Sequence, residues 1–148
     1  MKKLLFSLFS ILSFSTFTNG QGNGWEWQNP LPQGNTLNDI HVFDGQNAIA
    51  VGEAGTIIKT TDGGSNWSYQ SFPTRRQFME LQFIDMNIGY IVGDSGTILK
   101  TTDGGINWVF QNSGTTKYLF SISFVDAQIG WAVGNNGTIL KTTDGGAI

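Results

Sequence analysis

The stretch IGYIVGDSGTILKTTDGGINW, residues 88–108, is one of three near-identical copies in the chain. The other copies read NAIAVGEAGTIIKTTDGGSNW at residues 47–67 and IGWAVGNNGTILKTTDGGAI at residues 129–148. The copies keep a strict period of 41 residues, as Gly52, Gly93 and Gly134 show. Self-similarity at a fixed period of this length is the signature of a repeat architecture.

Each repeat divides into four short strands that are separated by turn residues. The predicted strands span residues 37–43, 48–51, 56–60 and 67–71, then 78–84, 89–92, 97–101 and 108–112, then 119–125, 130–133 and 138–142. The second and third strands of a repeat are apolar on both faces, which indicates burial on both sides. We therefore predict an all-β fold, a β-propeller of four-stranded antiparallel blades with about three blades present. A β-solenoid is the alternative, but its coils are usually shorter.

A short turn that ends in glycine joins the second and third strands of each repeat, and in two of the three copies a polar pair precedes the glycine. The three copies are Glu53–Gly55, Asp94–Gly96 and Asn135–Gly137. This pattern predicts a type I turn whose last residue has a positive φ. Glycine takes that conformation without steric cost, so we expect the positive φ at the glycine.

The octapeptide TTDGGSNW, residues 60–67, recurs as TTDGGINW at residues 101–108 and resembles the Asp box of sialidase-type propellers. A short Asp side chain can accept hydrogen bonds from the N–H groups of its own turn, and the Trp can pack its apolar area against the strands. We therefore predict a structural role, since identical turns spread around a rim do not converge on one catalytic or metal site. The predicted structural residues are Asp62, Gly64, Trp67, Asp103, Gly105, Trp108, Asp144 and Gly146.

The repeat as a whole resembles the propellers related to the photosystem II stability and assembly factor. The phrases VGDSGTI and TTDGG carry this resemblance, which covers the chain from about Trp25 onward. The resemblance implies a non-enzymatic scaffold that binds protein partners. Secreted bacterial proteins carry the same repeats without any link to photosynthesis, so the resemblance predicts the fold better than it predicts the partner.

The first twenty residues have the layout of a secretory signal peptide, with a basic start at Lys2 and Lys3 followed by a short apolar run. We predict that residues 1–20 are removed, that the mature chain is secreted or held in the cell envelope, and that no transmembrane segment is left. Removing the signal leaves 6 basic against 11 acidic residues, a net charge of about −5. This charge argues against nucleic acid as a partner. The chain has 0 Cys, which excludes disulfides, Cys-based metal sites and a Cys nucleophile.

No catalytic set emerges from the remaining polar residues. A sialidase needs three convergent arginines, whereas this chain has only Arg75 and Arg76. The single histidine, His41, has no repeated counterpart, so we expect it on a strand surface. We therefore predict no enzyme activity, no cofactor and no metal site. Three further acids recur with the period and are predicted to form turns: Asp44, Asp85 and Asp126.

Arg75 and Arg76 lie in the link between one blade and the next. In propellers this link shares a face with the turns at Glu53, Asp94 and Asn135, the face where ligands usually bind. One interpretation is an anion- or carboxylate-binding patch; the other, which we favour, is a solvated pair that forms a salt bridge with Glu53 or Asp94. The predicted partner is a protein or a surface glycan.

The sequence stops inside its third Asp box, and residues 25–28, WEWQ, align with the fourth strand WSYQ at residues 67–70. Counted from this strand, the repeats span approximately 25–66, 67–107 and 108–148. We expect a fragment of a six- to eight-bladed propeller, the alternative being copies that assemble into a ring. Three functions stay open: a protein-binding scaffold, which we favour, the N-terminal part of a glycoside hydrolase, and part of a surface adhesin.

Overall fold

The computed structural model describes residues 24, 25, 28, 34–70 and 72–146, so the predicted signal peptide at residues 1–20 lies outside the described residues. The described chain forms three antiparallel sheets in which sequential strands are neighbours. The first sheet contains β1 (Leu37–Val42), β2 (Ala48–Gly52), β3 (Ile57–Thr60) and β4 (Ser68–Gln70). The second contains β5 (Phe78–Phe83), β6 (Gly89–Gly93), β7 (Ile98–Thr101) and β8 (Val109–Phe110), and the third contains β9 (Leu119–Phe124), β10 (Gly130–Gly134) and β11 (Thr138–Thr142). These sheets are successive blades of a β-propeller, as predicted.

The periodic glycine at the end of each second strand has a steric cause. A Cβ added to Gly93 would collide with the carbonyl oxygen of Gln77, the residue before the first strand of the same blade. The register of β5 on β6 shifts at this point, between Phe78 and Glu80. Gly52 and Gly134 meet the carbonyls of Thr36 and Tyr118 in the same way. The glycine therefore allows a bulge in the first strand of every blade.

The turn between the second and third strands differs from the prediction. Positive φ occurs at two successive residues, 54° at Ala54 and 72° at Gly55, and the Thr56 N–H donates to the Glu53 carbonyl at 3.0 Å. Two central residues with positive φ are typical of a type I′ turn, not of the predicted type I turn. Ser95 and Asn136 repeat the conformation at 52° and 57°. The prediction was wrong because it assigned positive φ to glycine alone, whereas the tight hairpin also imposes it on the preceding residue.

The core lies between the blades. One cluster packs Ile49, Val51 and Ile57 of the first blade against the second blade, whose contribution is Phe78, Leu81, Phe83, Ile91, Leu99 and Trp108. A second cluster joins the second and third blades around Tyr90 and Leu119. All residues of β2 and β6 are buried, which confirms the predicted burial on both faces for these two strands.

Side chains on the first strand of one blade bond the backbone of the next. The Leu81 N–H donates to the Asp39 carboxylate at 2.8 Å, and the Phe124 N–H donates to the Gln82 carbonyl at 2.9 Å. The Ile122 N–H donates to the Glu80 carboxylate in the same manner. These bonds satisfy N–H groups on strand edges that would otherwise be unpaired.

Candidate functional site

The loops of the three blades form two opposite faces. On one face, which we call the turn face, lie the turns Glu53–Gly55, Asp94–Gly96 and Asn135–Gly137 together with the interblade links at residues 72–77 and 111–118. The Gly55 N–H donates to the Arg76 carbonyl at 2.7 Å, and the Gly96 N–H donates to the Lys117 carbonyl at 2.8 Å. The structure thus brings each link against the preceding turn, as the sequence predicted. The other face, the Asp-box face, carries the Asp boxes and the loops between first and second strands.

The Asp103 carboxylate is directed into its own turn. Its Oδ1 accepts hydrogen bonds from the Thr101 hydroxyl at 2.8 Å and from the N–H groups of Ile106 and Asn107 at 3.0 and 2.8 Å. Its Oδ2 accepts from Asn107 Nδ2 at 2.8 Å. Asp62 repeats this network with Thr60 and Asn66 at 2.7–2.9 Å. Both oxygens of each carboxylate therefore have partners within the turn.

These hydrogen bonds stabilise the charged carboxylates. The bonds from the Asn107 N–H and side-chain amide, followed by that from Thr101, lower the pKa of Asp103 to about 2. The Asn66 side chain and N–H lower the pKa of Asp62 in the same direction. A carboxyl group that acts as a general acid at neutral pH needs a raised pKa. The lowered pKa values of Asp62 and Asp103 are the opposite of this requirement.

The three other periodic acids make the turns that the sequence predicted. The Asp85 carboxylate accepts from the N–H groups of Asn87 and Ile88, both at 2.7 Å. Asp44 and Asp126 accept from their own loops at 2.7–2.8 Å. These backbone bonds lower the pKa of all three carboxyls. Each loop also accepts the glycine N–H of its Asp box, as Gly104 donates to the Asn87 carbonyl at 3.0 Å.

The tryptophans of the two described complete boxes differ in burial. Trp108 is 7% exposed and packs edge-on against Phe83, with ring centroids 5.9 Å apart. Trp67, in the first blade, is half-buried. The Nε1 groups of both are buried without a hydrogen-bond partner in the described part of the chain. The two rings therefore act through apolar contact.

The two predicted binding arginines have different surroundings. Arg76 donates from its guanidinium to the Thr97 hydroxyl at 3.0 Å and lies over the Phe110 ring, 5.2 Å from its centroid. Arg75 is exposed. Among the described residues neither arginine lies within salt-bridge distance of Glu53 or Asp94, so the pairing that we favoured is wrong. The Arg76 side chain instead donates to the hydroxyl of Thr97, the residue that precedes β7.

Two positions equivalent to Arg76 were missed by the sequence interpretation. Asn35 lies 41 residues earlier and donates to the Thr56 hydroxyl at 2.9 Å, the same bond that Arg76 makes to Thr97. Lys117 lies 41 residues later and is exposed. The period alone could have revealed both, since it aligns Asn35, Arg76 and Lys117. Together Arg75 and Lys117 give the turn face two accessible positive charges.

His41 has an apolar neighbourhood. Its ring lies 4.8 Å from the Phe43 ring and 5.1 Å from that of Phe83, between centroids. Burial lowers the pKa of His41, against a smaller opposite effect of Asp39. Nowhere in the described ranges do three or more His, Asp or Glu residues converge as metal ligands would. The described part of the chain also contains no helix that is long and apolar enough to cross a membrane.

A cavity of about 420 Å³ lies beside the third blade. Its walls include Tyr90 and Ile98 of the second blade and Phe124 of the third. The third Asp box contributes Asp144 and Gly146 to the lining. The cavity is thus part of the boundary between two blades and lies apart from the exposed Arg75.

Comparison with known proteins decides the family. Residues 18–109 match the family of the photosynthesis system II assembly factor YCF48. The chain belongs to this family. A solved structure described as YCF48 bound to D1 peptide is 27% identical and superposes with a TM-score of 0.71 over 81% of this chain. YCF48 from Cyanidioschyzon merolae, 24% identical, superposes with a TM-score of 0.69 over 80% of the chain and shares its fold.

The chain spans 40% of the length of each of these two YCF48 structures. No curated protein matches the chain. The family match confirms the resemblance that the repeats indicated, and both structures confirm the propeller architecture.

Proposed function

We propose that this YCF48-family chain is an exported, non-catalytic propeller segment that binds a polypeptide partner on its turn face. The observation that supports this most strongly is the likeness to YCF48 bound to D1 peptide, which extends over 81% of the chain. A propeller presents its loops on a rigid frame of blades, and binding residues on such loops are held in place by the frame. The partner class that we propose is an extended segment of another protein.

The exposed basic side chains of the turn face, which lie beside the acidic Glu53 and Asp94, offer contacts to a partner's carboxylates. Arg75 and Lys117 are exposed and lie in successive links, whereas Arg76 is held between Thr97 and Phe110. A guanidinium forms paired hydrogen bonds with a carboxylate in a geometry that an ammonium cannot match. We therefore propose that Arg75 contacts an acidic side chain or the free C-terminus of the partner, and that Lys117 supports it electrostatically.

The Asp boxes support the non-catalytic part of the proposal. Asp62 and Asp103 use their carboxylate oxygens within their own turns, and their pKa values are lowered. Such groups hold a loop in shape and are unsuited to proton transfer at neutral pH. The proposed export of the chain is supported by the signal-like residues 1–20.

A pair of arrays tests the proposed function. The purified chain is applied to an array of short peptides, each with a free and an amidated C-terminus, and to an array of glycans. We expect binding to a subset of peptides, with a preference for free carboxylates, and no turnover of glycoside substrates. Binding to glycans alone would favour a surface lectin, and glycoside turnover that is lost on mutation of one acid would favour a hydrolase; either result contradicts the proposal.

A further inference from the structure

A column of aromatic rings runs from the core to the surface at the boundary between the first and second blades. Phe78 is fully buried, and the ring of Phe72, in the interblade link, lies 6.3 Å from it between centroids. The ring of Phe110, the last residue of β8, lies 5.3 Å from that of Phe72. Phe110 is 45% exposed, so the outermost ring of the column is accessible to a partner.

The exposure of Phe110 belongs to a boundary whose two blades are both described. In β8 Phe110 pairs with Leu99, and directly paired residues point to the same side of a sheet. Leu99 packs in the cluster that the first and second blades share, so Phe110 faces the first blade. The four strands of that blade leave a large part of the ring uncovered. The ring is therefore an accessible apolar surface within a formed blade boundary.

Arg76 flanks this accessible ring. Its Cζ lies 5.2 Å from the Phe110 centroid, and one of its N–H groups donates to the hydroxyl of the buried Thr97 at 3.0 Å. A guanidinium has five N–H donors, and this is the one hydrogen bond that the Arg76 guanidinium makes among the described residues. The contacts with Thr97 and Phe110 hold the group in place. Arg76 therefore keeps donors for a carboxylate directly beside an aromatic ring.

The next blade boundary is built differently. One period later, Ser113 stands at the position of Phe72 and Lys117 at that of Arg76. The Ser113 hydroxyl donates to the Thr115 carbonyl of its own link at 3.2 Å, and Lys117 is exposed. Within the described part of the chain, an arginine beside stacked aromatic rings thus occurs between the first and second blades alone. The arrangement is a local feature and not a consequence of the repeat.

We propose that Phe110 and Arg76 form a subsite for an aromatic residue at the free C-terminus of the partner, an inference that rests on the proposed function. The partner's ring stacks on Phe110, and its terminal carboxylate binds Arg76 and the adjacent Arg75. In such a residue the ring centroid and the carboxylate carbon are about 5 Å apart by standard bond lengths. This separation matches the 5.2 Å between the Phe110 centroid and the Arg76 Cζ.

The two contacts reinforce each other. Aromatic pairs gain from stacking in addition to the burial of their apolar area, and a guanidinium forms paired hydrogen bonds with a carboxylate. Both protein groups are positioned before binding, Phe110 by its strand and by Phe72, and Arg76 by Thr97. Aromatic residues and arginine are also the residue types that dominate the energy of protein interfaces. The subsite therefore selects a partner by its last side chain as well as by its charge.

Peptides that differ only in their last residue test the subsite. A fluorescently labelled short peptide of Gly and Ser residues is made with a C-terminal Phe or a C-terminal Ala, each with a free and an amidated carboxyl group. Fluorescence anisotropy with the purified chain gives the dissociation constants. For wild type we expect an affinity about tenfold higher for the free Phe peptide than for the free Ala peptide.

Variants of Phe110 assign this preference to the ring. Phe110→Ser and Phe110→Gln are expected to lower the ratio of the two affinities to about twofold or less, while the affinity for the Ala peptide stays within about twofold of wild type. Phe110→Gln keeps a side chain over Phe72 and Phe110→Tyr keeps the ring, so Phe110→Tyr should retain the ratio. Val109→Ser is the matched control, because Val109 is 62% exposed in the same strand but pairs with Lys100, on the opposite side of the sheet. Circular dichroism shows which variants are folded.

The outcomes separate the subsite from the proposed function. Equal affinities of wild type for the free Phe and Ala peptides would overturn the subsite and leave carboxylate binding in place. So would a ratio that persists in Phe110→Ser and Phe110→Gln, or one that falls equally in Val109→Ser. Binding of none of the peptides, or binding that amidation leaves unchanged, would contradict the proposed function and the subsite together.

Discussion

The Nζ of Lys100 lies 2.8 Å from the carbonyl oxygen of Gly145, so a side chain of the second blade closes the Asp box of the third. The Tyr90 hydroxyl donates to the same oxygen at 3.0 Å, and the Lys100 ammonium lies 5.5 Å from the centroid of the Tyr90 ring. Burial, with a smaller effect of Asp144, raises the pKa of Tyr90 to about 12, so this hydroxyl stays a donor at neutral pH. The Asp box is thus a point of attachment between blades as well as a turn.

Lys100→Met is expected to lower the free energy of unfolding. The substitution keeps the apolar stem but removes the donor to Gly145, which costs about 1 kcal/mol for a partly exposed charged donor. Chemical denaturation at one fixed protein concentration measures this loss. Lys117→Met is the control, since Lys117 is exposed, and we expect a change within about 0.5 kcal/mol. Equal losses in the two variants would show that the Gly145 contact contributes no stability.

Asp103→Asn is expected to lower the melting temperature at neutral pH and to make the melting temperature less sensitive to acid. The folded pKa of Asp103, about 2, lies below that of an unfolded Asp, about 3.9. The stabilisation of the fold by the charged Asp103 carboxylate is therefore fully present at a pH above the unfolded pKa. It is lost as the pH falls through about 4 toward 2. An Asn would also place an amide donor against the Asn107 amide. Thermal melts at pH 7, 4 and 2 test both effects; parallel acid slopes for variant and wild type would contradict them.

Trp108→Ala is expected to cost about 3–5 kcal/mol, the usual loss for a buried aromatic side chain. Trp67→Ala is the matched variant one period earlier and should cost clearly less, since Trp67 is half-buried. Trp108→Phe should also cost less than Trp108→Ala, because it keeps the contact with Phe83 and removes the unpartnered Nε1. Urea denaturation gives all three values. A larger loss at Trp67 than at Trp108 would contradict this ranking.

Ala54→Gly is expected to stabilise the chain by up to about 1 kcal/mol, because the positive φ of 54° is strained for alanine and open to glycine. Ala50→Gly is the control: Ala50 is buried in the extended backbone of β2, so the same change should destabilise by at least about 1 kcal/mol through chain entropy and the lost methyl. The free energies of unfolding check both. Destabilisation by Ala54→Gly would contradict the claim that the positive φ at Ala54 is strained.

Strand positions could be predicted from the sequence because the period of 41 residues aligns each first, second and third strand, and the turns between them, with two other copies. The turn at Ala54 could not, since its positive φ comes from hairpin geometry and its residue type differs in each copy. The hydrogen bonds that Lys100 and Arg76 donate could not be predicted from a local sequence pattern either. Their acceptors belong to the following blade or strand, and the period shows which residues are equivalent without showing which ones touch.

Peptide affinity in two charge variants on opposite faces tests whether the turn face is the binding site. Arg75→Glu replaces an exposed positive charge on the turn face with a negative one, and Met86→Glu places a negative charge on the Asp-box face. Fluorescence anisotropy with a labelled peptide selected from the array gives both dissociation constants. We predict that Arg75→Glu weakens binding about tenfold or more and that Met86→Glu leaves it unchanged. Weakening by Met86→Glu alone, or equal affinities in both variants and wild type, would contradict a binding site on the turn face.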